Sequence, residues 1–392
     1  MNIKEESLKI HEELKGKLEV KNKMDVTNLH ELSLIYTPGV AEPCYKIVED
    51  PENVYKYTTK GNNVAVITNG TAVLGLGNIG ALASIPVMEG KSCLFKKFAN
   101  INSFPICIDS EEPEEFINIV SKISLMFGGI NLEDIKAPDC FYIEEKLKEK
   151  LNIPVFHDDQ HGTSIVVAAG ILNALKVVKK KISDVEIVIV GAGAAGLSVA
   201  KILLSLKPKN IVLVDKQGII QKDCLWLNEY QRKISLEKNV NINNETGSLT
   251  DAIKDKDIFI GLSRGNILNV SMVSQMRSNS IVFALANPIP EISYDEVKKT
   301  NVKIFATGRS DFPNQINNLL VFPGIFRGAL DAKATKITEE MKLSAVYALS
   351  SIIPEDQLNE NNIIPSIFDE RVTKVIAESV AAKAIETKVT RK

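Results

Sequence analysis

The sequence predicts an α/β protein with an N-terminal α/β domain and a second domain built on a doubly wound parallel sheet, closed by C-terminal helices. Short apolar, β-branched runs alternate with longer helical patterns, as in parallel sheets covered by helices on both faces. The 392 residues exceed twice the roughly 150 residues of a typical domain, which favours two domains. Hydrophobic residues at 45% and charged residues at 24% are typical of a folded globular chain.

The β-branched runs and the helical patterns follow one another in a regular order. Strands are predicted at 64–68, 104–109, 153–156, 185–190, 210–215, 257–262, 280–287 and 302–308. Helices are predicted at 114–127, 161–180, 194–206 and 370–388, where apolar residues recur three and four positions apart. The segment HDDQHGT separates a strand from the long helix that follows it. We therefore expect domains at 1–158 and 159–392.

Charge and hydropathy exclude several classes of partner. The 47 basic and 49 acidic residues leave a net charge of −2, so we expect no nucleic-acid partner. The apolar runs are too short to span a bilayer, and the charged N-terminus lacks an apolar signal core, so we expect no membrane partner. Five scattered cysteines without a CxxC spacing disfavour a disulfide framework and favour a cytoplasmic location.

The glycine pattern GAGAAG at 191–196 stands in the context of a dinucleotide-binding unit. It follows a predicted strand and opens a helix, and the next strand ends in Asp215, 24 residues after Gly191. The alternative is a glycine-rich turn without a ligand. Asp215 favours NAD because a carboxylate repels a 2′-phosphate, although the adjacent Lys216 leaves NADP open. The predicted cofactor-binding residues are Gly191, Ala192, Gly193, Ala194, Ala195, Gly196 and Asp215.

A second glycine pattern, GLGNIG at 75–80, lacks the acid that a nucleotide-binding unit needs. The first acid at the end of a following strand is Asp109, 34 residues after Gly75. We therefore predict that this segment is a backbone turn lining the site.

Acidic residues follow two predicted strand ends. Glu133 and Asp134 come after a Gly-Gly turn, and Asp158 and Asp159 come directly after a strand. Three carboxylates without a basic residue nearby in the sequence repel one another unless a cation lies among them, and hard oxygen ligands suit Mg²⁺ or Mn²⁺. The alternative is a set of helix caps and solvated surface acids.

Two histidines beside these acids have the spacing of a zinc-binding helix. His157 and His161 are four residues apart, but no glutamate lies between them and Gly162 follows where the zinc helix continues. We predict capping or core roles for both histidines.

Seven motifs together resemble the malic enzymes, in their compact bacterial form. In chain order they are YTPGVA at 36–41, GLGNIG leading to EGK at 89–91, INLED at 130–134, FHDDQHGT at 156–163, GAGAAG, FALANP at 283–288 and INNLLVFPG at 316–324. The resemblance implies oxidative decarboxylation of L-malate to pyruvate and CO₂ with NAD or NADP and with Mg²⁺ or Mn²⁺. It also implies an N-terminal catalytic domain, a Rossmann-like NAD(P)-binding domain and a homodimer.

The resemblance also assigns roles to individual residues. Lys91 matches the general base, and we expect a nearby metal and partial burial to lower its pKa toward neutrality. Tyr36 matches the residue that delivers a proton to C3 after decarboxylation. The implied metal ligands are Glu133, Asp134 and Asp159. Asp158 is implied to support these ligands or to interact with Lys91.

Amide side chains match the positions that contact substrate and nicotinamide. They are Asn287 and Asn318, with Asn317 as a neighbour. The arginine that larger malic enzymes carry before the glycine turn is replaced here by Thr71 and Ala72. Recognition of the substrate carboxylate must therefore differ, and Thr71 or the backbone N–H groups of the glycine turn are the candidates.

Three other readings remain open on the sequence. The same site could serve an oxaloacetate decarboxylase or a malolactic-type enzyme. A non-catalytic nucleotide-binding regulator is the alternative from another class. Five intact reactive positions, which are Tyr36, Lys91, Glu133, Asp134 and Asp159, argue against the regulator.

Overall fold

The computed structural model describes residues 2–73 and 75–391 of the chain. Its strands are β1 Asn63–Thr68, β2 Asn102–Cys107, β3 Gly129–Leu132, β4 Val155–His157, β5 Glu186–Val190, β6 Asn210–Asp215, β7 Gly218–Ile219, β8 Ile258–Gly261, β9 Ser280–Ala284 and β10 Val302–Thr307. Its helices are α1 Ile3–Leu14, α2 Leu29–Ile35, α3 Ala41–Glu49, α4 Val54–Tyr57, α5 Gly80–Ala99, α6 Pro113–Ile123, α7 Asp139–Lys150, α8 Asp158–Val178, α9 Ala194–Ser205, α10 Glu229–Ser235, α11 Leu249–Ala252, α12 Val270–Val273, α13 Tyr294–Val297, α14 Phe322–Asp331, α15 Glu339–Ser350 and α16 Arg371–Glu386.

The first sheet is parallel, with the strand order β2-β1-β3-β4. Leu132 at the end of β3 pairs with His157 at the end of β4, so both strands deliver the chain to the same edge of the sheet. The sequence indicated a turn at Gly128 and Gly129, whereas Gly129 begins β3. A Cβ on Gly129 would lie 3.0 Å from the Phe326 ring, a tight contact that glycine avoids where a helix packs closely on the strand.

The second sheet has the order β10-β9-β8-β5-β6-β7. All its strand pairs are parallel except the short edge strand β7, which is antiparallel to β6. Chain order reverses on either side of β5, because β6 lies on one side of β5 and β8 on the other. Ligands of doubly wound sheets bind at such a reversal, beyond the carboxyl ends of the strands. The predicted fold class is confirmed.

Helix α8 joins the two sheets and begins earlier than predicted. It starts at Asp158, immediately after β4, rather than at 161. By length and composition alone this is a helix that could cross a membrane, but 78% of its most apolar window is buried inside the fold. Among the described residues it is a core helix, which accounts for its apolar sequence.

The C-terminal helices pack against the first sheet's helix layer. The rings of Phe322 and Phe326 on α14 lie 4.7 and 5.4 Å from the ring of Phe95 on α5. Phe326 also meets Phe156 of β4, at 5.8 Å between ring centroids. Helix α14 thus packs against α5, the helix that carries Lys91. The boundary at residue 158 stays a prediction.

Candidate active site

Three carboxylates converge at the shared edge of β3 and β4. Glu133 and Asp134 follow β3, and Asp159 lies in the first turn of α8 after β4. One oxygen from each lies within 4.8 Å of the others. Asp134 has a left-handed backbone, with φ 54°, and its N–H donates to Asp159 at 2.8 Å. Burial raises the pKa of Glu133 and of Asp159, as expected for anions held together away from water.

This donor set fits a divalent cation. Its ligands are hard carboxylate oxygens only, which is the chemistry that Mg²⁺ and Mn²⁺ prefer. Three buried or partly buried anions at such short separations also need a counter-charge. Glu133, Asp134 and Asp159 are thus the residues that would hold a metal ion.

Lys91 on α5 lies behind the cluster and brings a cation to it from a distant part of the sequence. It is 9% exposed, and its Nζ donates to Glu133 at 2.8 Å. It also donates to Asp158, which is fully buried, and lies 4.2 Å from the centroid of the Phe322 ring. The other oxygen of Asp158 has no hydrogen-bond partner among the described residues. Asp158 therefore faces the base rather than the three-acid cluster.

These contacts determine the pKa of Lys91 in the protein alone. Burial by itself lowers the pKa of a lysine, but Asp158 and Glu133 together raise the pKa of Lys91 above its ordinary range. The lowering expected from a nearby metal stays a prediction. Binding of Glu133 to a cation would take one carboxylate charge away from Lys91, and this would lower the Lys91 pKa.

A cavity of about 580 Å³ opens onto the acid cluster. Asp134 and Asp159 line one wall, and Ala194 and Ala195 at the start of α9 line another. Further lining residues are Ala72, Val73, Gly75, Gly77, Asn287, Asn317 and Asn318. The glycine turn at 75–80 thus lines the site, as the sequence indicates. The cavity is large enough for a small dicarboxylate beside a ring from a nucleotide.

The predicted substrate-binding side chains take different positions. Asn287, Asn317 and Asn318 line the cavity, whereas Thr71 is buried behind it. The Thr71 hydroxyl donates to Asn69 at 2.7 Å and accepts from the backbone N–H of Lys136 at 3.0 Å. Both hydrogen bonds of the Thr71 hydroxyl are therefore made within the protein. This favours the backbone N–H groups of the glycine turn at 75–80 as the element that binds the substrate carboxylate.

The GAGAAG segment has the geometry that a bound pyrophosphate requires. Gly191 has φ +100°, and a Cβ on Gly196 would lie 1.7 Å from the carbonyl oxygen of Gly191. A Cβ on Gly193 would meet nothing within 4 Å, so open space remains at the N-terminus of α9. Backbone N–H groups and the positive end of the helix dipole face this space. The first and third glycines are thus needed by the fold, and the second leaves room for a ligand.

Asp215 ends β6 beside this loop and is held by a residue that the sequence did not reveal. Gln231 on α10 donates from one nitrogen to Asp215 at 2.8 Å and to the carbonyl of Ala192 at 3.1 Å. A second cavity, of about 1050 Å³, is lined by Asp215 and Lys216 and by Arg264 from another loop. Its place beside the glycine segment suits the adenosine end of a dinucleotide. No pattern singled out Gln231 or Arg264, because both contacts depend on distant segments.

Tyr36 stands apart from this site within one chain. It follows α2, is 67% exposed and is not among the described residues that line the cavity. The structure thus brings Lys91 into contact with the acid cluster, whereas no hydrogen bond among the described residues joins Tyr36 to either.

The two histidines are core residues. His157 is fully buried, and His161 interacts with both carboxylate oxygens of Glu144 at 2.9 Å. Lys342 of α15 donates to the other ring nitrogen of His161 at 3.0 Å. This fixes the hydrogen-bonding pattern of His161 and leaves no open position for a metal. Burial lowers the pKa of His157 to about 4 and that of His161 to about 3.

Comparisons with known proteins agree along the chain. A family model described as malic enzyme, N-terminal domain matches residues 15–148, and one described as malic enzyme, NAD binding domain matches residues 160–385. The NAD-dependent malic enzyme of Geobacillus stearothermophilus is 51% identical over 392 residues, which is 100% of this chain and 81% of that protein.

Two further relatives cover nearly their whole length. The bifunctional malic/malolactic enzyme of Bacillus subtilis is 50% identical, over 100% of this chain and 95% of its own. The crystal structure of malic enzyme from Pyrococcus horikoshii superposes with a TM-score of 0.95 at 48% identity, covering 100% of this chain and 92% of that one. With matches to both family models and about half of all positions identical to these relatives, this chain belongs to the malic enzyme family.

Proposed function

We propose that this protein oxidises L-malate to pyruvate and CO₂ with reduction of NAD or NADP. The observation that carries the proposal is the buried Lys91, in contact with Glu133 of the acid cluster, beside a cavity that also reaches the start of α9. The cavity thus borders two members of the acid cluster and the phosphate-binding end of a nucleotide unit, and the base lies directly behind that cluster.

Each group of the chain has a separate task in this reaction. Glu133, Asp134 and Asp159 would hold a divalent cation, which would supply Lewis-acid polarisation of the substrate, and the glycine segment at 191–196 would hold the nicotinamide cofactor, which would supply the hydride acceptor. Lys91 takes the proton of the C2 hydroxyl. The C3–C4 bond then breaks, CO₂ leaves, and the electron pair of that bond forms the enolate, which Tyr36 protonates at C3 to give pyruvate. The neutral amides of Asn287 and Asn318 orient the reactants without changing the charge balance of the cluster.

We propose NAD as the preferred cofactor. Asp215 is held at the end of β6 by Gln231, so its carboxylate is fixed where a ribose hydroxyl would be recognised. Lys216 and Arg264 line the same cavity, and they are the groups through which NADP could also be accepted.

We also propose a homodimer in the cytoplasm. All five cysteines are free among the described residues, which is usual in a reducing compartment. Malate is the proposed small-molecule partner, and neither a nucleic acid nor a membrane is proposed.

The first test is absorbance at 340 nm with purified protein, L-malate and Mn²⁺, run separately with NAD and NADP, with pyruvate assayed at the end. We expect a rise that EDTA removes and that equals the pyruvate formed. Pyruvate from oxaloacetate without any oxidation of malate would instead indicate a decarboxylase. Neither product would favour a nucleotide-binding regulator.

Malolactic activity is a second candidate, because one relative at 50% identity is named for both reactions. Lactate formed from malate without net accumulation of reduced cofactor would indicate it. The two activities are separated by assaying pyruvate, lactate and absorbance in the same sample.

Two variants test the assigned roles. Lys91→Ala should abolish malate oxidation, whereas Lys97→Ala, an exposed lysine on the same helix, should leave it unchanged. Tyr36→Phe should mainly damage protonation at C3. Near-normal turnover by the Lys91 variant would overturn the mechanism.

A further inference from the structure

We propose that Glu291 is a positioning residue for the nucleotide-binding side of the active site. Its carboxylate holds together the two loops that follow β8 and β9, and these loops form one wall of the cavity. This inference rests on the proposed function, because that function assigns a nicotinamide nucleotide to this cavity. Its structural basis is separate and comes from the contacts of Glu291 itself.

Both loops line the cavity beside the acid cluster. Leu262 and Ser263 directly follow β8, and Leu285, Ala286 and Asn287 directly follow β9. Ser263 also lines the larger cavity of about 1050 Å³, so it borders both cavities. The positions of these loops therefore shape the path of a nucleotide that extends from one cavity into the other.

Glu291 lies behind this wall and fastens both loops. Its side chain is fully buried, and it is not among the described residues that line either cavity. Oε2 accepts a hydrogen bond from the backbone N–H of Ala286 at 3.0 Å, and Oε1 accepts one from the backbone N–H of Ser263 at 3.3 Å. One carboxylate thus bridges the chain after β8 to the chain after β9.

The end of β8 leaves the space that this carboxylate occupies. A Cβ on Gly261, the last residue of β8, would lie 2.3 Å from the carboxylate carbon of Glu291 and 2.4 Å from its Oε1. Interior atoms are closely packed, so any other residue at this position would displace the carboxylate. The glycine and the glutamate therefore form one unit, although they are thirty positions apart in the chain.

Glu291 differs from other buried acids in the source of its compensation. Glu133, Glu144 and Glu186 each have a lysine nitrogen within 2.8 Å, whereas Glu291 forms no ion pair with any cation in the described part of the chain. Burying a charge is costly unless polar groups surround it. Burial raises the pKa of Glu291, and the backbone N–H groups of the two loops oppose that rise. The contact with the loops is therefore what compensates this buried carboxylate.

The same two loops pack tightly against other parts of the site. A Cβ on Gly191, the first glycine of GAGAAG, would lie 2.5 Å from the carbonyl oxygen of Leu262. A Cβ on Gly308 would lie 2.7 Å from Nδ2 of Asn287. A shift of either loop would therefore be transmitted to the phosphate-binding segment or to the amide that is expected to orient the reactants.

Glu291→Gln tests the inference with almost no change of shape. Glutamine keeps one acceptor oxygen but turns an NH₂ group toward the other backbone N–H, so one of the two loops is released. We expect the Kd for NADH, measured by calorimetry, to rise about tenfold, because a hydrogen bond to a charged group changes an equilibrium constant by at least about that factor. We also expect a higher KM for the nucleotide.

Mn²⁺ binding to the same variant separates positioning from a general loss of structure. Asp134 and Asp159 lie on another wall of the cavity, so the Kd for Mn²⁺ should stay unchanged. Asp295→Asn is the matched control, because it removes an exposed acid four positions later in the same segment. This control should leave both dissociation constants unchanged.

Gly261→Ala reaches the same contact from its other side. The added methyl group displaces the carboxylate but leaves its charge intact, and we expect a similar rise in the Kd for NADH. In the double variant Gly261→Ala/Glu291→Gln, the two effects should fall short of additivity in free energy, because both remove one contact. If Glu291→Gln fails to fold, Gly261→Ala and the shorter Glu291→Asp are measured in its place with the same expectation for NADH and Mn²⁺.

Two results would overturn the inference. One is a folded Glu291→Gln protein that binds NADH with a Kd within about twofold of wild type. The other is a parallel loss of NADH and Mn²⁺ affinity, which would indicate that Glu291 only supports the fold. Failure of the proposed function is distinct, because the wild-type protein itself would then neither bind NADH nor form pyruvate from malate.

Discussion

Gly162 is the position where a single methyl group should disable the site. It lies one turn after Asp158 on α8. A Cβ added there would stand 1.9 Å from Oδ1 of Asp158 and 3.2 Å from Cβ of Asn318. Because ordinary contacts begin at about 3.4 Å, the carboxylate must move by about 1.5 Å or the helix must shift. Either movement disturbs the contact between Asp158 and Lys91.

The expected effect of Gly162→Ala falls on the rate rather than on folding. A misplacement of about 1 Å near reacting groups can cost about 100-fold in rate, and we expect a fall in kcat of that order. Overpacking costs about 1–3 kcal/mol of folding free energy. Alanine offsets part of that cost, because it favours a helix by about 1 kcal/mol over glycine.

Gly90→Ala is the matched control. Gly90 precedes Lys91 on α5, and a Cβ there meets nothing within 4 Å. We expect unchanged kcat and a free energy of unfolding raised by up to about 1 kcal/mol. The assay is the initial rate at 340 nm with saturating malate, together with urea unfolding of each variant. A Gly162→Ala enzyme that folds and keeps kcat within about threefold of wild type would refute the reasoning.

Four further outcomes are expected. Gly196→Ala should lower both thermal stability and nucleotide affinity, because its Cβ would meet the Gly191 carbonyl, whereas Gly193→Ala should lower only the affinity, measured by calorimetry with NADH. Asp215→Ser should raise the ratio of kcat/KM for NADP over NAD, by removing a carboxylate that repels a 2′-phosphate. Asp159→Asn should weaken Mn²⁺ binding in a titration followed by electron paramagnetic resonance, and an unchanged titration would remove it from the ligand set. Burial by itself raises the pKa of Glu186, but its lysine partners lower it to about 2. Its stabilising effect is therefore present above about pH 4.5 and lost as pH falls toward 2, so the stability difference between wild type and Glu186→Gln in urea should narrow with acid.

The sheets were predictable where strands are long and β-branched. β5, β6 and β9 are continuous apolar runs because parallel strands are buried on both faces, and the pattern shows this directly. β3 was missed because it has four residues and starts with glycine. The reason for that glycine is the ring of Phe326, nearly two hundred positions later in the chain, so no local pattern contains it.

The acid cluster was predictable from its two pairs of adjacent acids, although the strand before the first pair was missed. The pKa of Lys91 was not, since it depends on Glu133 and Asp158, which lie 42 and 67 residues away. Gln231 shows the same limit: its contacts with Asp215 and Ala192 depend on how α10 packs against the glycine segment. Composition and spacing identify charges, but their pairing depends on tertiary packing.

The segment FHDDQHG at 156–162 is a specific motif because its polar side chains contact different partners. Successive residues of a helix are about 100° apart around its axis, so two adjacent carboxylates leave the helix in different directions. Asp158 therefore turns inward to Lys91 while Asp159 faces the acid cluster. His161, one turn after His157, turns to Glu144 and fastens this end of α8 to α7. Gly162 follows because the carboxylate of Asp158 occupies the space where its side chain would be. A motif constrained at four positions by steric and electrostatic contacts is far harder to match by chance than a glycine pattern alone.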